Sequence, residues 1–247
     1  MTAGAIFVFE LLGTATLTLL GCGVVANVTL SRTLGNNGGW LLVNFGWGFA
    51  VFAGASIAAP TGAHINPAVT IGMAVNGQLE WSQVPIYLSA QVIGGLLGAV
   101  VCWMAYKLQF DTHDDPANTL GIFATGPTVR NGTWNLVTEI IGTFVLVFWI
   151  LLSPGASTGA NGIPDFGNAA LGYAGVAFIV IGIGSSLGGP TGYAINPARD
   201  LGPRIAYALL PIRGKGTADW GYAWVPIVGP ILGGALAGAL ALALPAT

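Results

Sequence analysis

Two polar stretches about 130 residues apart limit what this chain can fold into more than anything else in it. One reads Thr61-Gly62-Ala63-His64-Ile65-Asn66-Pro67-Ala68-Val69-Thr70, the other Thr191-Gly192-Tyr193-Ala194-Ile195-Asn196-Pro197-Ala198-Arg199-Asp200. Each is a Gly-bearing loop, then Asn-Pro-Ala, then a stretch with helix-forming character. Proline suits the first position of a helix, because its ring presets φ and its missing N–H had no intrahelical partner anyway. Asn66 and Asn196 then occupy the N-cap position, and two short helices are predicted at about 67–76 and 197–209. The surroundings make these loops unusual. The chain is 54% hydrophobic and 6% charged, against about a quarter charged in soluble domains, which places it in a bilayer. Non-helical backbone at membrane depth is tolerated only where protein buries it or water reaches it. Paired, interrupted segments at matching places in two halves therefore point to a solute site.

A spanning helix needs about 20 mostly apolar residues. The spans expected are 4–28, 39–60, 83–107, 134–153, 168–189 and 222–244, and both Asn-Pro-Ala helices are too short to cross. The expected fold is an all-α membrane protein with six transmembrane helices plus two re-entrant half-helices in an inverted 3+3 repeat. Phe9-Glu10-Leu11-Leu12-Gly13-Thr14 opens the first half and Thr138-Glu139-Ile140-Ile141-Gly142-Thr143 the second. Third spans match too, through Gly94-Gly95-Leu96-Leu97-Gly98 and Gly233-Gly234-Ala235-Leu236-Ala237-Gly238, whose small-xxx-small spacing suits close helix crossing. Three spans per half is odd, so the second half must enter from the opposite side. This gives a single transmembrane domain over 1–247, with half repeats 1–108 and 134–247 and a polar connecting loop 109–133.

Other classes fare less well. A net charge of −2 argues against a nucleic-acid partner, which needs clustered Lys and Arg. Cys22 and Cys102 lie in apolar segments without metal spacing and are read as small hydrophobes. The first apolar run contains Glu10 and lacks a basic flank, so a retained span is expected there rather than a signal peptide. Gly184-Ser185-Ser186-Leu187-Gly188 matches a nucleophile elbow but ends an apolar span, where a strand-to-helix turn would be required. His113-Asp114-Asp115 reads as a solvated loop, and Gly21-Cys22-Gly23 imitates a dinucleotide loop with no strand before it. No enzyme, metal or cofactor is expected. A secondary active transporter is the stronger rival, since broken helices and inverted repeats occur there too. It would need a coupling-ion site, and no carboxylate accompanies the loops apart from Glu10 and Glu139.

Two Asn-Pro-Ala half-helices in an inverted six-span repeat resemble the major intrinsic proteins, the aquaporins and glycerol facilitators. The resemblance covers essentially the whole chain, and Asp200 directly after Arg199 resembles the glycerol-facilitator branch. It implies a right-handed aquaporin-type bundle, a homotetramer of four independent pores in the cell membrane, and passive flow of small neutral solutes. Glycerol and water are the implied passengers; dihydroxyacetone, urea, hydrogen peroxide and neutral lactic acid are alternatives. It also implies that both termini are cytoplasmic. The charge pattern alone says the reverse. Arg32, Lys107, Arg130, Arg199, Arg204, Arg213 and Lys215 all fall in or beside the loops on the side away from the termini, while the termini's own side offers only Glu80 and Asp165. The positive-inside rule would make that basic side cytoplasmic. The family topology is preferred here.

Within such a fold the two half-helices meet N-terminus to N-terminus, each end carrying about half a positive charge, so a dehydrated cation is disfavoured there. The amides of Asn66 and Asn196 can donate to a passing hydroxyl, and carbonyls around Gly62, Ala63, His64 and Ile65 and around Gly192, Ala194 and Ile195 can accept from it. Arg199 is costly in an apolar segment and should face a cavity; its fork suits two neighbouring hydroxyls. An ion pair with Asp200 is the alternative. By its place three residues before Asn196, Tyr193 matches an aromatic wall of the family's selectivity filter, and Gly184, twelve before, matches the position that widens it. The remaining wall is Trp47 by motif or Gly46 by ungapped counting. The aromatics could instead belong to an interfacial belt. Glu10 and Glu139, at mid-span, are expected to accept from the loop N–H groups, with His64 as a hydrogen-bonded strut near one of them.

Overall fold

A computed structural model of the protein describes residues 1–153 and 172–245. The chain crosses back and forth as helices: α1 Ala3–Thr29, α2 Gly39–Ala58, α4 Val84–Ala105, α7 Gly132–Leu152, α8 Gly172–Leu187 and α10 Val225–Ala243, with α3 Pro67–Val75 and α9 Pro197–Leu209 as the short re-entrant pair. Five of these, or six counting the 16-residue α8, are apolar along their length. The first four residues of the fifth expected span, 168–171, and Asp165 lie outside the described residues. No strand occurs among the described residues.

The two halves pack alike and then trade partners. α1 lies against α2 and α4, and α7 likewise against α8 and α10. The short helices cross over: α3 of the first half packs on α10 of the second, and α9 of the second on α4 of the first. These crossings need glycine. A β-carbon at Gly234 would sit 2.3 Å from the Ala68 carbonyl oxygen, and one at Gly95 would sit 2.5 Å from that of Ala198. Helix backbones can approach this closely only where small residues meet.

The connecting segment is more structured than its polar composition suggests. It forms a turn of helix at Lys107–Asp111 (α5) and another at Leu120–Phe123 (α6). Phe110, Ile122 and Phe123 are buried in one cluster with Tyr207 and Leu210 from α9 and the residue after it. The segment is thus folded onto the second half-helix, and this places its backbone beside the site described next.

Candidate functional site

The loops before α3 and α9 are built to one plan. Each runs through left-handed backbone at three residues: Gly62, Ala63 and Ile65 at φ 87°, 57° and 43°, and Gly192, Tyr193 and Ile195 at 79°, 38° and 43°. For a β-branched isoleucine this is strained, and such conformations persist only where neighbours over-determine them. Here a buried carboxylate does so. Glu10 accepts from the Thr61 hydroxyl at 2.7 Å and the His64 N–H at 3.0 Å through Oε1, and from the Ile65 N–H at 2.7 Å through Oε2. Glu139 accepts from the Thr191 hydroxyl at 2.7 Å, the Ala194 N–H at 3.0 Å and the Ile195 N–H at 2.9 Å. In the first half Gln91, from α4, adds a fourth donor to Glu10 at 2.8 Å and also reaches Thr70 at 3.0 Å. His64 faces Thr70 through Nδ1 at 3.1 Å and stacks on Tyr87, with centroids 4.6 Å apart.

The half-helices meet at their N-termini. Asn66 caps α3 by accepting from Ala68 N–H at 2.9 Å, and Asn196 caps α9 by accepting from Ala198 and Arg199 N–H at 3.0 and 3.2 Å. Their NH₂ groups exchange across the junction. Asn66 Nδ2 donates to Ile195 O at 2.8 Å, and Asn196 Nδ2 to Ile65 O at 2.9 Å. Each amide thus spends one hydrogen on the other loop, while Pro67 and Pro197 stand at the first helical position.

Two cavities adjoin here, and the first runs along this junction. One, about 100 Å³, is lined by Gly62, Ala63, His64 and Ile65 together with Asn66, Ala194, Ile195 and Asn196, and extends to Met73 and Tyr173. The other, about 320 Å³, lies between the end of α1, the start of α2 and the connecting segment, and Gly192 faces it. Three residues line both: Trp47, Tyr193 and Arg199. Arg199 lies over the Trp47 ring with its guanidinium carbon 3.7 Å from the centroid, and Nη1 donates to Phe123 O at 3.4 Å. Tyr193 meets Trp40 edge-on at 5.7 Å. Gly46 instead packs on Val24, away from both cavities.

Gly184 lines neither cavity. A β-carbon there would lie 2.6 Å from both Tyr193 Cζ and Asn44 Oδ1, so the space it leaves is filled by the tyrosine ring. A side chain at Gly184 would therefore displace Tyr193 or Asn44. Asp200 does not pair with Arg199. It pairs with Arg204, one turn along α9, Nε to Oδ1 at 2.7 Å, and both side chains are fully buried. The i,i+4 spacing could have suggested that pair from the chain alone. Thr61 and Thr191 were visible as repeat mates, whereas Gln91, Phe123 and Thr125 carried no signal. Ser185, in the elbow-like stretch, sits near the end of a continuous helix and is within 3.3 Å of Asn44 Nδ2, which donates to it.

Two opposed half-helices capped by Asn-Pro-Ala, cross-bonded in an inverted bundle, invite comparison with known proteins. The family profile described as major intrinsic protein matches residues 3–241. The chain belongs to that family. It is 50% identical over 226 residues to a probable glycerol uptake facilitator protein of Thermotoga maritima, covering 91% of this chain and 93% of that one. It is 49% identical over 221 residues to the glycerol uptake facilitator protein of Bacillus subtilis, covering 89% and 77%. Among solved structures it resembles the X-ray structure of the aquaglyceroporin from Plasmodium falciparum, with a TM-score of 0.79 at 30% identity over 96% of this chain and 94% of that one. The major intrinsic proteins form membrane channels, and the bundle described above is the aquaporin fold.

Proposed function

We propose that this major intrinsic protein is a passive channel for small neutral hydroxylated solutes, chiefly glycerol with water, that excludes ions and protons. One observation carries the reading: Trp47, Tyr193 and Arg199 are the residues shared by the two cavities, so they form the neck of a path from one face to the other. Trp47 and Tyr193 line the neck with apolar ring carbon, one face of Trp47 being taken by the Arg199 guanidinium. Arg199, held over the Trp47 ring, offers fixed donors to hydroxyls on one edge of a carbon chain. On this reading Trp47, rather than Gly46, is the first wall. Below the neck, the free amide hydrogens of Asn66 and Asn196 and the loop carbonyls exchange water's contacts for the pore's at little net cost. The positive ends of α3 and α9 meet there and oppose cations. The names of the relatives from Thermotoga maritima and Bacillus subtilis support glycerol as the solute.

Gradient-coupled transport fits less well. Glu10 and Glu139 are each taken up by three loop donors, with Gln91 of α4 as a fourth on Glu10, which leaves them as struts rather than a coupling-ion site. We read the chain as a channel and not an enzyme, acting as a homotetramer of independent pores. Both termini are placed in the cytoplasm. Of the seven basic residues on the far side, five are engaged internally: Lys107 with Asp111, Arg130 with Asp219, Arg199 with Phe123 O, Arg204 with Asp200, and Lys215 with the α9 carbonyls. Burial pushes the Lys215 ammonium down, and its short bonds to Tyr207 and Leu210 carbonyls make it a helix C-cap rather than a free surface charge.

Stopped-flow swelling of vesicles holding the purified protein tests this reading. Passive, non-saturating glycerol flux with no sodium or proton current in planar bilayers is expected. Saturable uptake driven by an ion gradient, or a single-channel cation current, would overturn it.

A further inference from the structure

The second half-helix carries a buried ion pair that lines neither cavity. Asp200 and Arg204 are both fully buried, joined Nε to Oδ1 at 2.7 Å and Nη2 to Oδ2 at 3.1 Å. A buried pair often stabilises no better than two apolar residues of the same size, so its presence raises the question of what else it holds. The carboxylate holds the connecting segment. Asp200 Oδ2 accepts from both the N–H and the hydroxyl of Thr125, each at 2.7 Å. Arg204 closes the ring by donating from Nη2 to Thr125 O at 2.8 Å, and its other arm reaches Ala218 O at 2.7 Å. Two residues before Thr125, the Phe123 carbonyl is the acceptor for Arg199 Nη1 at 3.4 Å. The Phe123 ring is wedged between Phe110 and Tyr207, with centroids 5.7 and 5.4 Å away. Arg199 and Asp200 are neighbours whose side chains leave α9 about 100° apart. They meet again on the same short stretch of another segment.

We propose that Asp200 is a positioning residue for Arg199. With Arg204 it anchors the connecting segment at Thr125, which keeps the Phe123 carbonyl in front of the guanidinium and the guanidinium over the Trp47 ring. An arginine whose acceptor has drifted loses the fixed fork that a pair of hydroxyls needs, while water, with its own free rotation, tolerates the change. Asp200 therefore tunes glycerol against water without touching either. The inference rests on the reading of Trp47, Tyr193 and Arg199 as the constriction.

The test is the ratio of glycerol to water permeability, measured on the same vesicles for Thr125→Val and Asp200→Asn, each alone and combined with Arg199→Ala. Thr125→Val leaves the Asp200–Arg204 pair intact and should melt close to the parent. Its ratio should fall about threefold, and that of Asp200→Asn about tenfold, the size expected for one or two hydrogen bonds. In the Arg199→Ala background neither substitution should move the ratio further. A purely structural pair would give the same drop in both backgrounds, and that result overturns the proposal. So does a parental ratio in Thr125→Val, which decides alone if Asp200→Asn fails to fold. If Arg199→Ala by itself leaves the ratio unchanged, the constriction reading falls and takes this inference with it. If Arg199→Ala lowers the ratio but the effects add, only the inference falls.

Discussion

The loop before α3 and the loop before α9 share a scaffold and differ in what hangs from it. Both are bent through left-handed backbone at matching residues, both are tied by one mid-span carboxylate, and both begin their helices with Asn-Pro-Ala. Beyond the caps the match ends. The third residue after the asparagine is Val69 in one half and Arg199 in the other, and the fourth is Thr70 against Asp200. Thr70 belongs to a neutral network with His64 and Gln91, while Asp200 belongs to a charged one with Arg204 and Thr125. The two loops thus share a framework, and two adjacent positions of α9 account for the difference in charge between them. Among the described residues that line the two cavities, the one arginine, Arg199, comes from the second half.

The largest effects should be those that treat the two halves alike. Glu139→Leu strands the Thr191 hydroxyl and the Ala194 and Ile195 N–H groups, at about 1–3 kcal/mol for each buried unpaired donor. Glu10→Leu strands the His64 and Ile65 N–H groups, while Thr61 and Gln91 keep Ala58 O and Thr70 as partners. Neither variant should be recovered as a folded, monodisperse protein in detergent. A well-folded Glu139→Leu with normal flux and an altered pH response would point to proton coupling and break the shared-scaffold account.

Next come changes that should separate the halves. Arg204→Leu leaves Asp200 buried without its counter-charge, expected to cost about 3–5 kcal/mol, whereas Thr70→Val removes neutral bonds worth about 1 kcal/mol each. Thermal unfolding should show Arg204→Leu far below Thr70→Val. Equal shifts would mean that the charged network contributes no more than its neutral counterpart.

Smaller again are changes confined to the neck. Gly184→His must push Tyr193 from the space it fills, so glycerol flux should fall several-fold more than water flux in paired vesicle assays. If both fall by one factor, Tyr193 does not set the width. The smallest effect is expected for Tyr193→Phe. The Tyr193 hydroxyl is buried with no partner among the described residues, so its removal should leave the glycerol-to-water ratio within about twofold and should not lower the melting temperature. A marked loss of selectivity would reveal a bond that forms during permeation.

Much of this protein is legible locally. Spans, half-helices and the two repeat carboxylates follow from hydropathy, from proline and asparagine at helix starts, and from the rarity of charge in lipid, all of which act within a few residues. The ends of the half-helices differ from expectation by at most one residue, Val75 in place of 76 and Leu209 as read. The connecting segment shows the opposite case. Its composition reads as a polar joint, yet it supplies Arg199 with an acceptor through a main-chain oxygen, and no side-chain pattern can announce a carbonyl.

From the sequence alone came the membrane class, the inverted repeat, the capped half-helices and the presence of an arginine that needs a cavity. Tertiary structure alone decided that Trp47 and not Gly46 turns to that arginine, that Asp200 and Arg204 together hold Thr125 of the connecting segment, and that the gap at Gly184 belongs to Tyr193. The physical reason is range. Helix starts and lipid exclusion are set by the chain's own short segments, whereas these three choices depend on which faces of α2, α8 and α9 are turned together once the bundle has closed.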